Sequence, residues 1–201
     1  MKNIHNPTIT FQVAETEKVI LAAKHLCHDV YLQVGYIDKP CIGNIIPSGH
    51  DDLSTYIVAL NALQEVIGTI RLTQGPPFKT LEIWKDKLYP LCNRLITEAI
   101  HSHTFEIGAL AVRKDFSPVK VSWGLYKAAY LSSIAMHLDY GIISIDARAL
   151  RSLQMLGWFV QKIGEPMHYF GSLTVPAIMP VHQQPGSVLQ TKLAYHKYLV
   201  A

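Results

Sequence analysis

The chain has 201 residues, 49% of them apolar and 16% charged, with a formal net charge of +3. This composition excludes intrinsic disorder and fits one globular domain over residues 1–201 rather than two. Apolar runs fall far short of the roughly 20 residues of a spanning helix, and no Lys/Arg block marks a nucleic-acid binder.

Met1 to Pro7 hold no apolar stretch of signal-peptide length, so the expectation is a cytoplasmic chain. Ile9 to Val13 alternates weakly, as a strand does. From Glu15 to Val34 the residues Val19, Ala23, Leu26 and Val30 recur at helical spacing. Residues 35–54 carry Gly35, Pro40, Gly43, Pro47, Ser48 and Gly49, which predicts a long loop, a common place for a functional lid. Thr55–Leu60 and Glu65–Thr73 read as two strands around a turn at Asn61, and Gly75-Pro76-Pro77 stops the second. Phe78–Leu91 reads as a helix, Phe105–Val112 as a strand, and Trp123–Leu138 as a helix with Gly141 as its terminating residue. Ile142–Ile145 is a short strand, and Asp146 caps a helix that runs to Leu156 and ends at Gly157. Trp158–Ile163 and Leu173–Val181 complete the set. The order lacks strict strand–helix alternation, so the expected fold is a mixed α/β sheet that is not doubly wound.

Three features carry chemistry. Glu106 sits inside an apolar strand, where burial disfavours the charged form and tunes a carboxylate to accept a proton from an amine. A strand end open to water, or a structural partner, is the other reading. Arg71 likewise interrupts a strand, where it can pair with an acid or grip a substrate carboxylate with its fork. Arg148 and Arg151, three apart, share one helix face that is either simply solvated or docks an acidic partner. Three cysteines without a CxxC give neither a disulfide framework nor a zinc site. The pairs His25/His28 and His101/His103 lack supporting ligands, so no metal is expected. Ala128, Ala129, Ser132, Ser133 and Ala135 make a small-residue surface suited to close packing. No GxSxG, GxGxxG or P-loop occurs.

The segments Ile67-Gly68-Thr69-Ile70-Arg71-Leu72, Glu106-Ile107-Gly108, Leu156-Gly157-Trp158, Gly164-Glu165-Pro166 and Pro176 to Val181 follow one another in a telling order. Together, over about residues 50–185, they resemble the GNAT-fold branch that holds acyl-homoserine lactone synthases and long-chain N-acyl amino acid synthases. Lactone synthases usually carry an Arg three residues after the strand acid, where this chain has Ala109, and an acidic pair matched at most by Asp51 and Asp52. The chain therefore resembles the N-acyl amino acid synthases more. The stretch Lys120 to Leu125 does not fit the pyrophosphate-cradling loop of acetyl-CoA enzymes of the fold.

The resemblance implies a single-domain GNAT-like mixed sheet with splayed central strands, flanked by helices. It implies transfer of a long-chain acyl group from acyl carrier protein to the α-amine of an amino acid, tyrosine foremost. No tightly bound cofactor is implied, since the phosphopantetheine thioester arrives with the donor. Glu106 would be the base, with Arg71, Ala109, Leu110, Ala111 and Val112 binding substrate. Trp84, Leu88, Phe105 and Leu131 would line the acyl tail, and Arg148 with Arg151 would dock the carrier protein. A lactone synthase using S-adenosylmethionine and a catalytically silent lipid-binding module are the alternative functions.

Overall fold

The computed structural model describes residues 9–47, 51–186 and 196–199. Met1 to Pro7, and Ser48 and Gly49 of the expected loop, lie outside the described residues. Nine strands form one sheet: β1 (Ile9–Val13), β2 (Ser54–Leu60), β3 (Val66–Gln74), β4 (Thr104–Val112), β5 (Tyr140–Asp146), β6 (Gln161–Lys162), β7 (Met167–Tyr169), β8 (Ser172–Pro180) and β9 (His196–Leu199). Their order is β6-β8-β5-β4-β3-β2-β1-β9, with β7 paired to β8. Among the described residues only β4 with β5 and β1 with β9 run parallel. The helices are α1 (Glu17–Gln33), α2 (Lys79–Trp84), α3 (Asn93–Ile100), α4 (Pro118–Ala135) and α5 (Ala147–Met155). The expected mixed sheet flanked by helices is thus present.

Local chemistry sets the boundaries. Thr16 caps α1 by accepting from the Val19 N–H, and Asp146 caps α5 by accepting from the N–H groups of Arg148 and Ala149. Asn61 turns β2 into β3, its Oδ1 accepting from the N–H groups of Leu63 and Glu65 at 2.9 Å each.

Four boundaries differ from the sequence reading. α4 spans Pro118–Ala135 rather than Trp123–Leu138, because Pro118 opens its first turn instead of preceding it. Phe78–Leu91 is not one helix: α2 stops at Trp84, a 3-10 turn covers Pro90–Cys92, and a further helix, α3, follows. Pro90 cannot continue the hydrogen bonding of the preceding turn but starts a new one well. Gly141 does not end α4, because His137 takes the left-handed conformation there (φ 55°). Gly141 lies inside β5 instead, where a Cβ would stand 2.9 Å from Phe105 Cζ. Trp158–Ile163 contributes only the two-residue β6, since Trp158 and Val160 are spent on the core.

Alternating residues serve two layers. Phe11, Ile57, Ile67, Ile70, Phe105, Ile143 and Ile145 pack with Val121, Leu125 and Ala128 of α4 and Leu150 and Leu153 of α5. Tyr56 and Val58 face α1 on the opposite side, and Tyr140 and Ile142 meet Ile96 and Ala99 of α3 there. Of the small residues expected to pack closely, Ala128, Ala129, Ser132 and Ser133 are buried, whereas Ala135, at the last residue of α4, is exposed. Closest approach falls at Gly124, where an added Cβ would stand 2.0 Å from Phe11 Cζ. Gly124→Ala gains about 1 kcal/mol of helix propensity, but Phe11 is fully buried and cannot retreat. Overpacking of about 1–3 kcal/mol therefore wins. Urea unfolding should show a net loss, and a variant as stable as the parent would contradict this packing.

Candidate active site

The pairing of β4 with β5 ends at Ile107 opposite Ile143. Beyond that point the two strands separate, while β4 stays hydrogen-bonded to β3 as far as Val112. The bend has a local cause. Arg71 opposes Gly108 and Thr69 opposes Ala111, so Ile70 alone faces both Ala109 and Leu110. This bulge puts Ala109 at φ 50°, a left-handed conformation that costs a non-glycine residue about 1–2 kcal/mol. The splay opens a cavity of about 300 Å³ that passes through the sheet. Arg71, Glu106, Gly108 and Ser144 line it on the α1 and α2 side, and Ile145, Tyr126 and Ala149 on the α4 and α5 side.

Glu106 is half-buried and does not sit among apolar neighbours as the sequence implied. Phe78 precedes α2 and offers no side chain to cap it. Glu106 does so from β4: Oε2 accepts from the Lys79 N–H at 2.9 Å, and Oε1 accepts from the Thr80 N–H at 2.7 Å and from the Thr80 hydroxyl. Thr80 Oγ1 lies 2.8 Å from Ser144 Oγ on β5, the first residue past the last β4–β5 pair.

The α1 side carries charge and aromatic rings. Arg71 hydrogen-bonds the Tyr56 side chain, which donates to Asp51 at 3.3 Å; Asp51 pairs with Lys24 at 2.9 Å. Tyr31, Tyr36 and Phe170 form a wall with ring centroids 5.2–6.2 Å apart. Burial pushes the Cys27 thiol up to about 12 against the opposing pull of Arg71. Burial likewise raises Tyr31, with Cys27 adding to it, and raises Tyr126. A thiol so raised is not a thiolate near neutrality, so Cys27 supplies no nucleophile. The loop that contributes Ile46 and Pro47 to the cavity is tied back by buried His28. Its Nε2 accepts from the Cys41 N–H at 3.1 Å, which leaves Nδ1 as the donor to Asp29 at 2.9 Å.

Glu106, Arg71, Ala109 and Leu110 meet at the cavity. Ala111 and Val112 lie beyond it, paired to Thr69 and Gly68 of β3. The four residues expected to line the acyl tail do not line this cavity. Phe105 faces the core through strand alternation, and Leu88 packs with the second cluster around Ile163. Trp84 is fully buried with its indole N–H bonded to the Glu165 carbonyl, supporting the cavity wall indirectly by an edge contact with Tyr169. Leu131 is half-buried on α4, outside the lining. Arg148 is exposed and pairs with Asp146 at 3.5 Å, and Arg151 is exposed; their helix begins at the cavity rim. Among the described residues no cluster of three or more His, Cys, Asp or Glu could hold a metal, and no helix is long and apolar enough to cross a membrane.

Solved structures share this fold. FeeM, an N-acyl amino acid synthase from uncultured soil microbes, superposes with a TM-score of 0.68 at 16% identity, over 92% of this chain and 99% of its own. The acyl-homoserine lactone synthase LasI gives 0.72 at 14% identity, over 97% and 98%. BjaI, a CoA-dependent acyl-homoserine lactone synthase solved with SAM and isopentyl-CoA, gives 0.68 at 14%, over 97% and 94%. At these identities the likeness is one of fold. No curated protein matches the sequence. A family model does, over residues 22–181, from within α1 to just past β8, and on that match the chain belongs to the N-acyl amino acid synthase FeeM family.

Proposed function

We propose that this chain transfers a long-chain fatty acyl group from the phosphopantetheine thioester of acyl carrier protein to the α-amine of an amino acid, with tyrosine as the first acceptor to test. The observation that carries this reading is the cavity through the splay, which joins a carboxylate and a guanidinium on one face of the sheet to an open seam beside β4. The pantetheine arm would lie in that seam along Ala109 and Leu110, and the amino acid would enter from the α1 side. An α-amine is largely protonated near neutral pH, its reference pKa in peptides being about 7.7–8.0. The neutral fraction of the amine attacks the thioester carbon, Glu106 takes up the proton that the nitrogen sheds as the bond forms, and the N–H of Leu110 would face the oxyanion. The thiol leaves, and an amide remains. Burial favours the neutral thiol of Cys27, which supports direct attack over a thioester on that residue.

The test is incubation of the purified chain with long-chain acyl carrier protein and each amino acid, reading free thiol and product mass. An N-acyl amino acid is expected, and its mass reports both halves. Consumption of S-adenosylmethionine with lactone release would make it a lactone synthase instead. Equal rates with acyl-CoA would remove the carrier protein from the reading, and no thiol with any acceptor would leave a lipid-binding module.

The carrier's acidic surface is expected to meet α5. Arg148→Glu with Arg151→Glu should raise the KM for acyl carrier protein up to about tenfold, given roughly 0.2–1 kcal/mol per exposed ion pair and charge reversal at two sites. The salt dependence of that KM should flatten as well. An unchanged KM would place docking elsewhere.

A further inference from the structure

We propose that Ser144 is the group that contacts the acceptor amine and that it passes the amine's proton through Thr80 to Glu106; this rests on the acyl-transfer reading above. Hydroxyl bookkeeping fixes the direction. Oε1 of Glu106 accepts from both the N–H and the hydroxyl of Thr80, so both of its lone pairs are used. Thr80 has one hydroxyl proton, and the carboxylate takes it. The 2.8 Å contact between the two hydroxyls then requires Ser144 to donate to Thr80 Oγ1. Ser144 Oγ is left with no proton to give and two lone pairs to offer.

That acceptor lies at the cavity, on the β5 edge of the splay, immediately past the last β4–β5 pair. Thr80 is almost fully buried, at 1% exposure, so solvent does not compete for the inner link. A group that accepts and cannot donate selects an N–H donor, and the substrate group of that kind is the amine. Glu106 Oε2 already accepts from the Lys79 N–H, an arrangement that holds the carboxylate still while Oε1 receives.

The step balances. As the nitrogen lone pair forms the bond to the thioester carbon, the nitrogen becomes cationic. Its proton moves to Ser144 Oγ, the serine's own proton moves to Thr80 Oγ1, and the threonine's proton moves to Glu106 Oε1. Collapse of the adduct breaks the carbon–sulfur bond, the thiolate takes up one proton, and Glu106 releases the one it gained to solvent. The sum is thioester plus amine giving amide plus thiol.

The experiment compares Ser144→Ala, Ser144→Thr, Thr80→Val and Glu106→Gln in the full chain, with acyl carrier protein thioester and the acceptor found to be used. Ser144→Ala and Thr80→Val should each lower kcat about 10–100-fold, a part of what general-base catalysis supplies, with both KM values within about twofold. Ser144→Thr should recover most of the loss. Combined with Glu106→Gln, neither should slow the reaction further, because a broken chain breaks once. Thr80→Val keeps the backbone N–H bonded to Glu106 and carries the test alone if Ser144→Ala does not fold. If Glu106→Gln is slow while Ser144→Ala and Thr80→Val turn over normally, the relay is wrong and Glu106 acts through Oε2. If all three turn over normally, the base is elsewhere and the relay falls with it. If the unaltered chain acylates no amino acid, the acyl-transfer reading itself fails.

Discussion

Glu106→Gln is expected to lower kcat by about 10²–10⁴-fold, the range supplied by a positioned general base, and to leave the protein folded. The second half needs argument, because Glu106 also caps α2. Glutamine keeps one oxygen, which can stay on the Thr80 N–H and hydroxyl, the inner pair of contacts. Its NH₂ group then meets the Lys79 N–H, donor against donor. A buried orphan donor costs about 1–3 kcal/mol, but this one lies on the exposed side of the site, where water can replace the lost acceptor. Stability should therefore fall by no more than about 1 kcal/mol while turnover collapses. Stopped single-turnover acyl transfer, set beside a urea unfolding curve, separates the two roles. A variant that unfolds early yet transfers at the parental rate would make Glu106 a cap and nothing more.

Much of the fold could be read from the chain because local rules governed it. Asp146 before an apolar helix, Gly157 after it and Asn61 between two β-rich runs each act within a few residues, and each sits where expected. Other positions are decided by a distant partner. Gly141 has the composition of a helix terminator, but its small size serves Phe105, which arrives from another strand. Phe105 in turn looked available for a lipid tail, and strand parity sends it to the core instead. The site follows the same division. Glu106 and Arg71 stood out because a charge inside an apolar strand is costly unless it has a purpose or a partner. Thr80, Ser144 and the wall of Tyr31, Tyr36 and Phe170 gave no such signal. Ordinary residues 64 positions apart in the chain, as Thr80 and Ser144 are, become a pair only when the sheet brings them together. The bulge at Ala109 was invisible for another reason: alanine is not a residue that sequence rules place at positive φ.

Arg71→Gln is expected to raise the KM for the amino acid by about 10–150-fold, since hydrogen bonds to a charged group contribute roughly 1.5–3 kcal/mol. Arg71 faces the cavity from β3 opposite Gly108, packed along that strand: its Nη2 atom stands 3.7 Å from where a Gly108 Cβ would be, an ordinary contact distance. Beside the Tyr56 side chain it brings a planar, charged fork to the cavity, the geometry that matches a carboxylate. Lysine should not substitute, because an ammonium reproduces the charge without the fork. A decisive comparison uses the amino acid and its carboxamide. In the unaltered chain the carboxylate form should be preferred strongly, and in Arg71→Gln the two should converge, with kcat changed far less than KM. Such a pattern assigns Arg71 to the carboxylate and leaves proton removal to Glu106. Should the preference survive the substitution intact, Lys24, at 2.9 Å from Asp51 on the same wall, becomes the cation that reads the acceptor.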